Sequence, residues 1–189
     1  MFEKNMIKQI ENGLEVRVSS NIIYSSIYRD DHREKFQEFM EMIVARKPID
    51  QFLEIGTHEG LATSFLTQFC KHIDTIDIRD YYIKYKFWYH YKLNKIIDAH
   101  VCKSDEAKTA LVKTLKFDFA FVDGDHQEGV LLDWNIVKHC GRVLFHDYKV
   151  GKQYPERYKD VYKHIINLVD SLPKDEVIID APFAYWEKK

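Results

Sequence analysis

The sequence predicts an α/β protein: a doubly wound, mostly parallel sheet with helices on both faces and an antiparallel last strand. Three observations predict it. Short apolar runs alternate with helix-length amphipathic segments from residue 51 onward, the pattern of successive βαβ units under a parallel sheet. Right-handed crossovers then leave few topologies. The last two strand-like runs, 176–180 and 183–187, are separated only by Ala181 and Pro182. Two residues cannot make a crossover, so the final strand runs antiparallel to its predecessor.

The elements follow in order. Residues 1–30 have no firm period, although LEVRV (14–18) suits a short strand. In 32–46, Phe36, Phe39, Met40, Ile43 and Val44 fall on one face of a helix, and Pro48 stops it. QFLEI (51–55) is a buried-strand signal ending at Gly56. A helix over 61–71 follows, with Leu61, Phe65 and Phe69 on one side. IDTID (73–77) is a strand, 81–96 an aromatic helix, and AHVC (99–102) a strand. Ser104 reads as an N-cap with Asp105 and Glu106 in the first turn, opening a helix to about Leu115. FDFAFV (117–122) is a strand, 129–138 a helix stopped by Gly141, and RVLFH (142–146) a strand. Residues 155–172 form an amphipathic helix with Pro155 near its first turn. Residues 1–48 read as an N-terminal helical cap segment and 49–189 as the main domain.

Composition narrows the classes of function. Hydrophobic residues at 46% and charged residues at 31% describe an ordinary globular chain. Twenty-eight Lys and Arg against 30 Asp and Glu give a net charge of −2, too balanced for a protein held to nucleic acid by bulk charge. The three cysteines, Cys70, Cys102 and Cys140, are odd in number and widely spaced, so neither a disulfide framework nor a CxxC metal clip follows. The opening MFEKNMIKQIENG has no apolar h-region, and no run approaches a membrane span. A cytoplasmic protein with no membrane or nucleic-acid partner is the expectation, with a homodimer left open.

In a doubly wound sheet, ligands bind beyond the carboxyl ends of the strands, and four clusters fall there. The first is Glu54-Ile-Gly56-Thr57-His-Glu59-Gly60, between a strand and a helix. Gly56 permits the tight turn and Gly60 a close approach to a ligand. The spacing is not GxGxxG, and the flanking carboxylates would repel a pyrophosphate but suit a cationic ligand. The second is Asp77, about 20 residues on, where an acidic residue binds a ribose diol in this architecture; the alternative is a helix N-cap. The third is Asp123-Gly-Asp125-His126, and the fourth His146-Asp147 on the neighbouring strand. Either could be a polar turn alone. Together, Asp123, His146 and Asp147 could hold a divalent cation, with His126 beside it as a general base. Histidines 32, 72, 90, 100, 139 and 164 lack a supporting pattern. The run 81–91, rich in Tyr, Phe and Trp, reads as a helix packing on the sheet, or as Tyr81, Tyr82 or Trp88 edging a pocket, or, with Lys84, Lys86 and Lys92, as a stacking surface for single strands.

LEIGTHEG resembles motif I of class I S-adenosylmethionine-dependent methyltransferases in its ExGxxxG form, and Asp77 matches the acidic residue of motif II. FVDGDHQEGVLLDW and GRVLFHDY resemble the DGxHxYxxVxxD and GGxxxxHD segments of the small-molecule O-methyltransferase branch, which includes catechol-type and antibiotic-sugar enzymes. The resemblance covers roughly residues 50–189 and implies the Rossmann-like fold of that class. It implies that Glu54, Gly56, Thr57 and Gly60 surround the methionine part of S-adenosyl-L-methionine, that Asp77 takes the ribose, and that Ser104 and Asp105 lie near the adenine, with Asp123 also at the donor. It places Asp123, His146 and Asp147 at the position of a Mg2+ or other divalent site, and His126 where catechol-type enzymes keep a catalytic lysine. His146-Asp147 departs from the usual carboxylate–amide pair, and Gln127-Glu128 stands where an aromatic is common. The implied reaction is methylation of a small hydroxylated acceptor, a sugar or phenol, beneath a cap made by 1–48 and 148–157 with Tyr148, Lys149 and Tyr154. The alternatives are an NAD-type oxidoreductase, a metal-dependent hydrolase using the DGDH and HD clusters, and a binding module without turnover.

Overall fold

The computed structural model describes residues 30–125, 127–148 and 159–189. The expected strand at 14–18, His126 and all but the first residue of the 148–157 segment lie outside the described residues. Helix α1 (Asp30–Arg46) leads into β1 (Gln51–Ile55), α2 (Leu61–Leu66), β2 (His72–Asp77), α3 (Ile83–His90), β3 (Ile97–Val101) and α4 (Asp105–Val112). Then come β4 (Phe119–Val122), α5 (Gly129–Val137), β5 (Arg142–Phe145), α6 (Lys159–Ser171), β6 (Val177–Asp180) and β7 (Phe183–Glu187).

Among the described residues the strands form one seven-stranded sheet in the order β3-β2-β1-β4-β5-β7-β6. Strands β1 to β5 are parallel to one another, and β7 runs antiparallel to both β5 and β6. The short connection between the last two strands therefore makes the expected antiparallel pair, and it threads β7 between β5 and β6. Chain order reverses between β1 and β4, which puts the ligand crevice of such a sheet over their carboxyl ends.

Side chains alternate across the sheet, and each face buries its own cluster. On one face Phe52, Ile73, Phe119, Phe121 and Phe183 pack with Phe36, Met40 and Ile43 of α1, Leu66 of α2 and Trp88 of α3. On the other, Leu53, Ile55, Ile76, Val122 and Phe145 pack with Val112 of α4, Val130 and Val137 of α5, and Ile165 and Val169 of α6.

Several element bounds differ from the sequence expectation; the helix opened by Ser104 ends at Val112 and the strand expected from 117 begins at Phe119. The helix expected over 61–71 stops at Leu66. Ser64 and Thr67 turn their hydroxyls back onto the carbonyls of Gly60 and Ser64, at 2.6 and 2.7 Å, a bonding pattern that competes with helix propagation. The helix expected over 81–96 breaks at Lys92, which adopts φ 59° before a 3-10 turn at Leu93–Lys95. Strand β3 begins at Ile97, whose burial anchors it earlier than AHVC suggests. Among the described residues, no helix is long and apolar enough to cross a membrane.

Candidate active-site crevice

The strand ends continue their hydrogen bonding one residue past the sheet. Gly56 N–H donates to Ile76 O at 2.9 Å, Asp123 N–H to Ile55 O at 2.8 Å, and Cys102 N–H to Asp77 O at 2.9 Å. This locks the loops after β1, β2, β3 and β4 side by side, and a cavity of about 700 Å³ opens between them. Its walls are apolar at Ile55, Ile76, Ile78 and Cys102. Its charged groups are six carboxylates, those of Asp77, Asp105, Asp123, Asp125, Glu128 and Asp133, against Arg79 and Lys108, and His58 and Tyr81 also line it.

The turn after β1 depends on Gly56. Its φ is 105°, and a Cβ there would lie 2.1 Å from the Asp123 carbonyl oxygen, so no other residue fits the backbone contact between the first and third clusters. Gly60, at φ 77°, makes room for protein: a Cβ would meet the Trp88 ring at 2.5 Å. Trp88 Nε1–H donates to Ser64 Oγ at 2.9 Å. Gly60 therefore seats helix α3 on the start of α2, and it is not part of the crevice lining.

Glu54 also stands behind the crevice. It is fully buried, and its Oε2 accepts from the hydroxyls of Thr63 and Thr75 at 2.5 Å each, while Thr57 bonds Thr75 at 2.6 Å. Burial pushes its carboxyl up to about 8, against the pull of the two hydroxyls. Glu54 and Thr57 shape the loop from beneath.

Asp77 faces the cavity from the end of β2. Its Oδ2 accepts from His58 N–H at 2.6 Å and its Oδ1 from Arg79 N–H at 2.9 Å. The first bond holds His58 at φ 46°, a left-handed conformation rare for a residue with a side chain, and the His58 ring lies 4.6 Å from that of Tyr81. Across the cavity, Ser104 caps α4, its Oγ accepting from Ala107 N–H at 3.2 Å, and Asp105 lines the wall. Lys108, one turn on, reaches Asp133 at 2.5 Å and Asp105 at 3.5 Å. Burial raises the Asp133 carboxyl despite that partner, and its Oδ2 has no hydrogen bond.

The DGDH segment divides its labour. Asp125 is a helix cap as well as a wall residue: it accepts from Gln127 N–H at 2.9 Å and Gly129 N–H at 3.2 Å at the start of α5. Asp123 faces the cavity and accepts from His146 Nδ1–H at 2.8 Å. His146 and Asp147 are buried beside it, outside the lining, with Asp147 at φ 61°. Burial alone would lower the His146 imidazole, but Asp123, Asp147 and the bond to Asp123 carry it up to about 9.

Asp123, His146 and Asp147 do converge, with one donor atom each inside 4.8 Å of the others. As arranged, however, they do not fit a catalytic cation. Asp123 Oδ1 and His146 Nδ1 are bonded to each other at 2.8 Å, so both atoms are taken, while His146 Nε2 is buried without a hydrogen-bond partner. Only Asp123 faces the cavity, so an ion held by all three would lie beneath its floor without the open position that catalysis requires.

Tyr148 is fully buried and donates its hydroxyl to Asp170 at 2.6 Å, so it is a core residue and not part of a cap. In the aromatic run, Tyr81 lines the cavity, Tyr82 is exposed and Trp88 is buried behind Gly60. His58, Arg79, Lys108 and Asp133 were not singled out by sequence reasoning. Of these, His58 lies inside the LEIGTHEG segment and Asp133 is the last acidic residue of FVDGDHQEGVLLDW, whereas Arg79 and Lys108 lay in no quoted segment.

A family model described as a methyltransferase domain matches residues 53–148, which span every strand end lining the cavity. The chain belongs to the methyltransferase domain family. Solved structures share the fold of this methyltransferase at low identity. A Staphylococcus aureus protein described as a caffeoyl-CoA O-methyltransferase superposes with a TM-score of 0.71 at 14% identity, over 97% of this chain and 92% of that one. The N-methyltransferase NodS of Bradyrhizobium japonicum, in complex with S-adenosyl-L-homocysteine, gives 0.59 at 15% identity over 95% and 98%. An S-adenosylhomocysteine-bound methyltransferase from Podospora anserina gives 0.61 at 12% identity over 100% and 97%. No curated protein matches the sequence.

Proposed function

We propose that this methyltransferase uses S-adenosylmethionine to methylate a hydroxyl of a small acceptor such as a sugar or phenol. The observation that carries the donor is the charge of the crevice. Six carboxylates against two cations suit a sulfonium that also bears an ammonium, and they oppose the pyrophosphate of a dinucleotide. The crevice fits the donor in size, since small-molecule sites run roughly 300–1,000 Å³. It also fits in detail. Gly56 brings the loop after β1 onto the Asp123 backbone at the cavity edge, Asp77 has lone pairs left for a ribose diol after its two backbone bonds, and Ile76, Ile78 and Cys102 offer apolar walls for a flat base.

When bound, S-adenosylmethionine supplies a methyl group activated for in-line displacement. The chain's own residues do the rest. Asp77 fixes the ribose, and Asp105 lies at the base end. Asp123, held by His146 from behind, offers a fixed carboxylate to a hydroxyl hydrogen bond and so aims the acceptor oxygen. His126, three residues on, takes the hydroxyl proton as general base. The hydrogen bond between half-buried Asp123 and His146 occupies the place an ion would take, so the transfer runs without a metal.

The test is calorimetric titration with the donor or with S-adenosylhomocysteine. Wild type binds, and Asp77→Ala weakens binding by about tenfold or more, the effect of losing hydrogen bonds to a charged group worth roughly 1.5–3 kcal/mol. Absence of binding at millimolar ligand overturns the donor. With a phenolic or sugar acceptor, His126→Ala lowers the turnover number and leaves donor affinity unchanged, and turnover persists in a chelator. Loss of turnover in chelator, restored by a divalent cation, overturns the ion-pair arrangement.

A further inference from the structure

A second cluster lies on the outer strands, away from the crevice. His72 and Asp74 occupy alternate positions of β2, and Asp98 and His100 alternate positions of β3, so all four project from the same face of the sheet. The parallel register pairs Asp74 with Asp98, and β3 is the edge strand.

Two kinds of distance separate these side chains. His100 Nε2–H donates to Asp74 Oδ1 at 2.7 Å, an ordinary charge-assisted hydrogen bond. His72 Nε2 instead stands 3.5 Å from Asp74 Oδ2 and 3.5 Å from Asp98 Oδ2. That is long for a hydrogen bond. It matches the edge of a coordination tetrahedron, because bonds of about 2.0–2.2 Å at tetrahedral angles place neighbouring donors about 3.3–3.6 Å apart. All three donor atoms lie within 4.8 Å of one another. Among the described residues, no lysine or arginine pairs with Asp74 or Asp98, so two carboxylates face each other with only imidazoles between them. Asp98 is 67% exposed, which leaves an entry path and room for a water ligand.

We propose that His72 Nε2, Asp74 Oδ2 and Asp98 Oδ2 bind a zinc-class divalent cation. One imidazole and two carboxylates suit zinc, whereas the all-oxygen octahedra preferred by magnesium do not match the imidazole or the spacing. His100 is the positioning residue: it holds the second oxygen of Asp74 and so fixes the carboxylate that ligates, the outer-shell arrangement usual at such sites. The ion ties edge strand β3 to β2. The site is separate from the crevice, since Asp74 lies three residues, about 10 Å, before Asp77, and it does not depend on the methyl-transfer reading.

The experiment is equilibrium dialysis of the full chain against micromolar Zn2+, with bound metal measured by mass spectrometry and thermal unfolding followed in parallel. Wild type retains zinc and gains thermal stability on loading. Asp98→Asn, a substitution at an exposed position that leaves the fold intact, lowers the bound zinc by one equivalent and removes the thermal gain. His72→Ala does the same, and His100→Gln weakens affinity by about 10–100-fold without abolishing it. Donor binding in the crevice is unchanged in all three. Zinc binding at the wild-type level in Asp98→Asn and His72→Ala, or no zinc on wild type at these concentrations, overturns the site.

Discussion

Glu54 is a carboxyl with almost nowhere to put a charge. Two threonine hydroxyls reach its Oε2, its Oε1 is buried without a partner, and burial raises its pKa from 4.5 to about 8. In the unfolded chain the same group ionises near its ordinary value, so between pH 4.5 and 8 the native state holds a proton that the unfolded state has released. Stability from this residue is therefore complete below pH 4.5, falls through the interval, and levels off above about 8. Glu54→Gln keeps an acceptor for both hydroxyls and cannot ionise. It is expected to flatten that part of the stability profile and to be more stable than wild type at pH 8, measured by urea unfolding at a series of pH values; a variant with an unchanged slope would contradict the protonated state. Residues of this kind show what sequence can and cannot reveal. Asp77 and Asp123 were legible because a carboxylate ending an apolar strand has a known place over the sheet. Glu54 looked the same on paper, but β alternation turns it onto the face packed by α2 and away from the cavity. The Lys108–Asp133 pair spans 25 residues, and no local pattern announces such a contact.

At the scale of elements, strands were easier to read than helix ends. Short apolar runs locate β1, β2, β4 and β5 to within two residues, because burial on both faces leaves little choice. Helix ends answer to local bonding that composition does not show, as with the back-bonded hydroxyls of α2 and the left-handed Lys92 after α3. Helix α3 owes its seat to Trp88, which lies against Gly60 and bonds Ser64, and to buried Lys84 beside it. Trp88→Ala opens a cavity against Gly60, at a cost of about 3–5 kcal/mol. Trp88→Phe keeps most of the volume and loses chiefly the hydrogen bond, about 1 kcal/mol. If α3 were instead a stacking surface, Trp88→Ala would leave unfolding midpoints unchanged and weaken binding to single-stranded oligonucleotides.

For the whole molecule, the two-residue connection between the last strands dictated an antiparallel pair, but not that β7 would enter between β5 and β6; only the burial of both its faces, from Phe183 to Trp186, makes that a central position. The larger question is where the folding unit begins. The sequence divides at residue 48, yet α1 packs into the core of one sheet face. Phe36 stacks on Phe183 at 4.8 Å and on Phe65 at 5.2 Å, and Phe36, Phe39, Met40 and Ile43 are all buried. Arg142, itself buried on β5, donates to the carbonyls of Pro48 at 3.1 Å and Lys47 at 2.6 Å, tying the end of this helix to the centre of the sheet. Exposing four such side chains forfeits on the order of 6–12 kcal/mol at roughly 1.5–3 each, as much as the entire net stability of a typical domain, about 5–15 kcal/mol. A chain of residues 49–189 alone is therefore expected to lose cooperative unfolding by circular dichroism and to bind no donor, even though the crevice lies wholly within it. Phe36→Ala in the full chain should cost about 3–5 kcal/mol. Were the shortened chain to unfold at the wild-type midpoint, α1 would be an accessory laid on a finished domain, and the burial of Phe36 would carry no folding energy.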